Sequence, residues 1–186
     1  MDLLEMEFVF IHINKTGGSS IEQALGCSTE HKTAVEKRKE LGKDAWKNFF
    51  SFTIVRNPWD RAVSHYHYRV QTNQTGLGTR AISFNEWVKR AHGERAPAYY
   101  DKPKMFMPQW NWITNRRGKI LVDFVGRFEH LEADFARICL KLNRQAQLPH
   151  LKPSRHGHYR EYYDDASIAI IRHCFASDIE NFGYEF

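Results

Sequence analysis

Lys15, Thr16, Gly17, Gly18, Ser19 and Ser20 put one ammonium, three hydroxyls and two adjacent glycines on a single loop. Neighbouring glycines let the backbone turn sharply and come close to a ligand. The run follows an apolar segment, Phe8 to Ile13, and precedes Ile21, Ala24 and Leu25 at helical spacing. Such a strand, loop and helix start leave backbone N–H groups pointing outward at the positive end of a helix dipole. The chemistry this arrangement can do is to cradle a phosphate-like anion. It is not a Walker A loop: Lys15 stands before the glycines, whereas GxxxxGK[ST] needs the lysine after them, which disfavours ATP or GTP hydrolysis. A second anion-seeking group, Arg56, closes a second apolar run, and Ser64 follows on the next helix. At ~1.5 Å of rise per residue, Ser64 lies about two turns beyond Arg56, within reach of one phosphate beside the helix start. Two parallel strands ending in Lys15 with its loop and in Arg56 suit a ligand with two separated anionic groups. The plainer alternatives are a simple Gly-Gly turn, a strand-end salt bridge for Arg56 and a solvent-facing Ser64.

The elements that must position these groups read as follows. Ser19 and Ser20 are expected as N-caps of a first helix that ends near Gly26. The Thr33/Glu36 spacing of a capping box predicts a helix from Ala34 to Leu41, and Asp44 is expected to cap a short helix carrying Trp46, Phe49 and Phe50. Phe50 to Val55 reads as a second buried strand. Pro58 opens a helix with Trp59, Ala62, Val63, Tyr66 and Val70 on its core face. Ser64 falls ~140° from that stripe and should face solvent or a ligand; His65 and His67 beside it read as surface residues. Gln71 to Ala81 is a polar, glycine-containing loop, the expected mobile segment. Ser83 and Glu86 form a further capping box. The stretch HGERAPAYYDKPKMFMPQWNWITNRRG reads as a long irregular excursion over the surface. Lys119 to Phe128 holds a third strand, Leu131, Phe135, Ile138 and Leu142 mark an amphipathic helix, and Asp164 caps a last helix with Ile168, Ile171 and Phe175 inward. Strands alternating with helices predict an α/β fold, one domain over residues 1–186 with a mainly parallel central sheet flanked by helices. Ligands should bind at the C-terminal ends of its strands.

The chain of 186 residues carries a net charge of +5 and 42% hydrophobic residues, which fits a globular protein with an anionic ligand. No apolar run reaches membrane-span length, and the first residues lack a signal-peptide pattern. Cys27, Cys139 and Cys174 are an odd set without CxxC spacing; they predict reduced thiols in a cytoplasmic protein, neither a disulfide frame nor a zinc site. No carboxylate or His/Cys cluster has metal-ligand spacing, so no metal is expected.

FVFIHINKTGGSSIEQAL resembles the 5′-phosphosulfate-binding motif of the sulfotransferase superfamily, and FTIVRNPWDRAVSHYHY resembles its 3′-phosphate-binding motif. VGRFEHLEADF and the closing DIENFGYEF resemble bacterial members of the family. Within the superfamily these motifs most resemble the carbohydrate sulfotransferases, including the heparan sulfate 2-O type. Asn14 departs from the pattern, since many relatives carry proline there; this bears on loop stiffness rather than chemistry. The resemblance implies a P-loop-like site for the donor 3′-phosphoadenosine 5′-phosphosulfate, with transfer to an acceptor hydroxyl, a saccharide by analogy. Lys15, Thr16, Gly17, Gly18, Ser19 and Ser20 would hold the phosphosulfate, and Arg56 and Ser64 the 3′-phosphate, where a guanidinium fork suits paired bonds. Ser154, Arg155 and Tyr159 of the SRHGHYREYY loop are candidate nucleotide contacts.

Catalysis of such an in-line transfer is mostly positioning and electrostatics. Lys15 can place its ammonium on the leaving oxygen. Among ten histidines, His31 is the expected general base, because HKTA resembles the place where the glycan branch keeps its catalytic histidine. His12 is the second candidate, although its position within a strand points to a structural role; His156 and His158 could meet nucleotide or acceptor. Two other classes stand beside this reading. LVDF around Asp123 superficially resembles a Walker B strand, as in a nucleotide kinase or NTPase. Arg116, Arg117, Trp110 and Trp112 would suit a non-catalytic binder of acidic glycan or nucleic acid, yet no basic stripe or nucleic-acid motif accompanies them.

Overall fold

The computed structural model describes residues 8–149 and 157–186. In chain order the elements are β1 (Phe8–Ile11), α1 (Gly18–Leu25), α2 (Ala34–Leu41), α3 (Lys43–Asn48), β2 (Phe50–Val55), α4 (Pro58–Gln71), α5 (Phe84–Val88), α6 (Trp110–Ile113), β3 (Phe124–Arg127), α7 (Leu131–Lys141), α8 (Asp165–Cys174) and α9 (Ala176–Phe182). The described residues gather into two compact units, one of residues 8–56 and 109–149, the other of residues 57–108 and 157–186. No described helix is long and apolar enough to cross a membrane.

The first unit holds a parallel sheet in the order β1-β2-β3. Phe8 pairs with Phe50 and Ile11 with Thr53; Phe52 pairs with Phe124 and Val55 with Arg127. The α/β architecture expected from alternating strands and helices is therefore present. Phe8, Phe10, Phe52 and Ile54 from the strands pack with Ile21 and Leu25 of α1 and Phe135, Ile138 and Cys139 of α7 in one buried cluster. Burial of a side chain of this size stabilises by ~1.5–3 kcal/mol, so this cluster anchors α1 and α7 to the sheet. At the starting ends of β2 and β3, Asp123 Oδ2 accepts from Ser51 N (2.8 Å) and Ser51 Oγ (2.7 Å). Thr33 and Glu36 cap α2 reciprocally, as their spacing predicts.

Two helix starts differ from expectation. Gly17, in the left-handed region, occupies the N-cap position of α1, and both serines lie inside the first turn. Gly42 rather than Asp44 precedes α3, which leaves Asp44 in the first turn, where its charge favours the helix dipole.

In the second unit, α4 is buried on nearly every side. Arg61, Ser64, His65 and Arg69 are buried along with Trp59, Ala62 and Val63. This corrects the surface reading of His65; Ser64, expected to face solvent or a ligand, is buried as well. Long-range contacts cover this side of the helix: Arg61 donates to the carbonyls of Met105 and Met107 (both 3.2 Å), Arg69 pairs with Asp101 (2.7 Å), and the His65 ring packs on Phe106 at 4.9 Å and Trp87 at 5.7 Å. Loop residues far along the chain thus cover the polar side of the helix. The reading of residues 92–118 as a surface excursion is also corrected, since Phe106, Gln109, Trp112 and Ile113 are buried; the Arg61 and Arg69 bonds hold residues 101–107, and Gln109 is bonded to Arg56. Ser83 caps α5 by accepting from Glu86 N (3.2 Å), and α5 runs on into a π-helical turn, Lys89–Gly93. Asp164 caps α8, but α8 is not the last helix: α9 follows after Phe175.

Candidate anion site and its histidines

β1 ends in a loop that leaves regular structure at once. Lys15 takes a left-handed φ of 67° and Gly17 one of 82°. Thr16 is buried and its hydroxyl donates to Ile13 O (2.9 Å), so its hydroxyl proton serves the turn. A side chain on Gly17 would strike Leu131 at 3.0 Å and the Phe128 ring at 3.2 Å. A methyl on Gly18 would meet the His12 ring at 2.1 Å. Both glycines are therefore required by close approach, Gly17 by its backbone as well. The first backbone bonds of α1 are Ser20 N to Gly17 O (3.1 Å) and Ile21 N to Gly17 O (3.4 Å). The amides of Gly18 and Ser19 precede them at the open start of the helix, where a helix dipole favours negative charge.

Arg56 leaves the end of β2 beside this loop. The Gln109 side chain grips its backbone on both sides, Arg56 N donating to Oε1 (2.9 Å) and Nε2 donating to Arg56 O (2.8 Å). One primary amide thus replaces a neighbouring strand. The guanidinium lies over the Phe128 ring at 4.1 Å, and Nη1 donates to Lys15 O (3.2 Å). Burial, and after it the positive charge of Arg56, lower the Lys15 ammonium to about 8. Two cations that oppose each other's charge are an arrangement that a bound anion relieves.

Against Gly18 lies the ring of His12, with His31 beside it. His12 follows β1 directly and its Nδ1 lies 3.1 Å from Glu22 Oε1. Burial holds its pKa below the ordinary value, His31 adds to the lowering, and Glu22 opposes both. The His31 ring is 4.5 Å from that of His12, and its Nδ1 is 2.8 Å from His12 O. A carbonyl only accepts, so His31 Nδ1 carries the proton. In the neutral ring Nε2 is then left with its lone pair, which is the state a general base needs. His31 is exposed and stands edge-on to buried Trp112 at 6.2 Å.

The structure thus brings Lys15, Thr16, Gly17, Gly18, Ser19, Ser20, His31 and Arg56 into the first unit around the ends of β1 and β2. Ser64 lies on α4 in the second unit, 7% exposed. Tyr159, also there, opens a 3-10 turn, stacks on His158 at 4.7 Å and meets Phe186 edge-on at 5.7 Å. Ser154, Arg155 and His156 lie outside the described residues. Trp112 is core, and Trp110 is half-buried. Sequence reasoning missed Gln109, Glu22 and Phe128. The VGRFEH stretch, which runs from within β3 into the turn beyond it, was a usable signal for Phe128; a lone glutamine 53 positions from Arg56 offers none.

A family model described as the Sulfotransferase family matches residues 5–185. An uncharacterized protein of Archaeoglobus fulgidus is 30% identical over 112 residues, or 60% of this chain and 82% of that relative. No solved structure matches the chain. With the glycine loop after β1, Arg56 and the corner between β3 and α7 all inside the matched span, this chain belongs to the sulfotransferase family.

Proposed function

We propose that the protein moves a sulfuryl group from 3′-phosphoadenosine 5′-phosphosulfate to a hydroxyl of a saccharide. The observation that carries this reading is the 3.2 Å bond from Arg56 Nη1 to Lys15 O. It ties the Arg56 guanidinium to the backbone of Lys15, so two residues with cationic side chains meet at the ends of neighbouring strands beside the open start of α1, which suits a ligand with two separated anionic groups. Lys15, the loop backbone at Thr16 and Gly17, the amides of Gly18 and Ser19, and the hydroxyls of Ser19 and Ser20 are assigned to the phosphosulfate. Arg56 is assigned to the 3′-phosphate. Ser64, Tyr159, Ser154 and Arg155 enter through the family resemblance as further nucleotide contacts.

In the reaction the acceptor oxygen forms a bond to sulfur as the bond from sulfur to the bridging phosphate oxygen breaks. The acceptor proton goes to His31 Nε2. The electron pair of the broken bond goes to the leaving oxygen, which the Lys15 ammonium and the helix start stabilise. No step calls for a metal. Asp123 argues against a nucleotide kinase or NTPase: it is bonded to Ser51 at the starting ends of β2 and β3, the edge opposite Lys15 and Arg56.

A thermal-shift titration with adenosine 3′,5′-bisphosphate tests the reading, since a ligand of the native state raises the midpoint. A clear rise is expected, weakened in Lys15→Ala and in Arg56→Ala and smaller with ATP. No rise, or magnesium-dependent ATP turnover, would overturn it.

A further inference from the structure

Glu22 sits on the exposed-to-core boundary of α1, where a solvated charge is the ordinary reading, yet its Oε1 is heavily engaged. It accepts from Thr29 N (2.7 Å) and Thr29 Oγ1 (2.5 Å) and lies 3.1 Å from His12 Nδ1. Burial pushes the carboxyl upward, but the Thr29 hydroxyl and amide and then His12 outweigh it and hold the group below its usual range. These bonds tie together three segments: α1, the loop that carries His31, and the residue that follows β1. Two residues beyond Thr29, the His31 ring rests on the carbonyl of the same His12 whose ring Glu22 holds. Glu22 does not contact His31 itself; it fixes both the loop that delivers the ring and the residue whose carbonyl the ring needs.

We propose that Glu22 is a positioning residue for turnover, a clamp on Thr29 and His12 that keeps His31 in its Nδ1–H form with Nε2 open to the acceptor. The proposal rests on the reading of His31 as the base. Loss of the clamp frees the loop, and His31 then exchanges the His12 carbonyl for water. Its tautomers mix, and Nε2 loses both its place and its lone pair for part of the time. Because Gln keeps a carbonyl oxygen at the same point, it retains the three acceptor contacts without the charge.

Long-range proton–nitrogen NMR of the histidine rings reads the tautomer without any turnover. The wild type is expected to show His31 protonated at Nδ1, Glu22→Ala to lose that state, and Glu22→Gln to keep most of it. Hydrolysis of the donor with water as acceptor, followed as released adenosine 3′,5′-bisphosphate, reads the consequence. In Glu22→Ala kcat should fall ~10- to 100-fold, the scale expected of a misplaced reacting group, with the thermal shift by adenosine 3′,5′-bisphosphate unchanged. Thr29→Val, which removes only the hydroxyl arm, should give an intermediate loss and serves if Glu22→Ala does not fold. An unchanged His31 tautomer in Glu22→Ala or Thr29→Val, or a wild-type kcat in a variant whose tautomer has shifted, overturns the clamp while His31→Ala remains inactive. Wild-type hydrolysis by His31→Ala instead overturns the base assignment, and the role of Glu22 in turnover with it.

Discussion

Two pairs of histidines, one in each unit, show what surroundings do to the same side chain. In the first unit, His12 and His31 face each other at 4.5 Å and each has an oxygen at Nδ1. In the second, His65 and His92 sit among aromatic rings. His65 lies 4.9 Å from Phe106 and 5.7 Å from Trp87, and His92 lies within 5.4 Å of Trp87, Phe106 and Phe175. His92 Nε2 is buried without a hydrogen-bond partner among the described residues. Burial, and after it Arg61 and Arg69, lower His92 to about 3. An oxygen at one nitrogen defines the other for chemistry; an aromatic cage like that around His92 makes the ring a packing plate. Tests that treat the two pairs alike should therefore give opposite results.

The largest contrast is in turnover. His31→Ala should cut donor hydrolysis by ~10²–10⁴-fold, the usual share of general-base catalysis, while adenosine 3′,5′-bisphosphate still raises the melting midpoint. His92→Phe keeps the ring volume and should leave turnover within about twofold, since a conservative core swap removes no reacting group. Comparable losses in the two variants would erase the distinction.

A smaller contrast concerns glycines. Gly18→Ala drives a methyl to 2.1 Å from the His12 ring, so His12 must move and with it the carbonyl that holds His31. A loss of ~1–3 kcal/mol in urea stability, the range for overpacking, should accompany a fall in turnover. In the second unit, Gly93→Ala would place its methyl 3.6 Å from Ile170, an ordinary contact. That variant should stay within ~0.5 kcal/mol of the wild type.

The same division separates what the sequence reveals from what it hides. The bounds of β2, the capping box of α2 and the strand–glycine–helix start around Lys15 rest on neighbours within a few residues, and all are present. The burial of His65 rests on rings of Trp87 and Phe106, and that of Arg61 and Arg69 on bonds to residues 101–107, none of which helical periodicity encodes. Gln109 acts on Arg56 through a single amide group without any pattern around it. For Glu22 the partner is only seven residues away, but a glutamate on a helix surface looks the same whether it is solvated or clamped. Local geometry was legible at the site, whereas the side chains that hold the site in place belong to distant contacts.

Acid stability separates the pairs next. A histidine held below its ordinary value stabilises the fold fully above the unfolded value of 6.5, and that contribution is lost as pH falls toward the folded value. For His92 the loss should run from 6.5 down to about 3. Urea midpoints measured across that window should fall less steeply in His92→Phe than in the wild type. His12→Gln should flatten the curve less, because Glu22 offsets part of the lowering at His12. An equal flattening by the two variants would show that the aromatic cage adds nothing special at His92.

The finest test returns to the candidate anion site, where Lys15 is lowered from 10.5 to about 8. Below about 8 the folded and unfolded chains both hold the Lys15 proton, and the fold bears the full cost of a buried ammonium beside Arg56. Between about 8 and 10.5 the folded chain releases a proton that the unfolded chain keeps, so stability rises with pH across that window. Without nucleotide, the wild type should therefore be the less stable of the pair with Lys15→Met at neutral pH and should gain on it as the solution becomes alkaline. Saturating adenosine 3′,5′-bisphosphate should invert this, because a bound phosphate favours the ammonium. The wild type is then the more stable at neutral pH, and its advantage shrinks above the Lys15 titration. Differential scanning calorimetry of both proteins, with and without the nucleotide, reads the gap directly. A gap that stays constant with pH in both conditions would remove the Lys15 ammonium from the anion site and leave Arg56 as the group that must carry the binding.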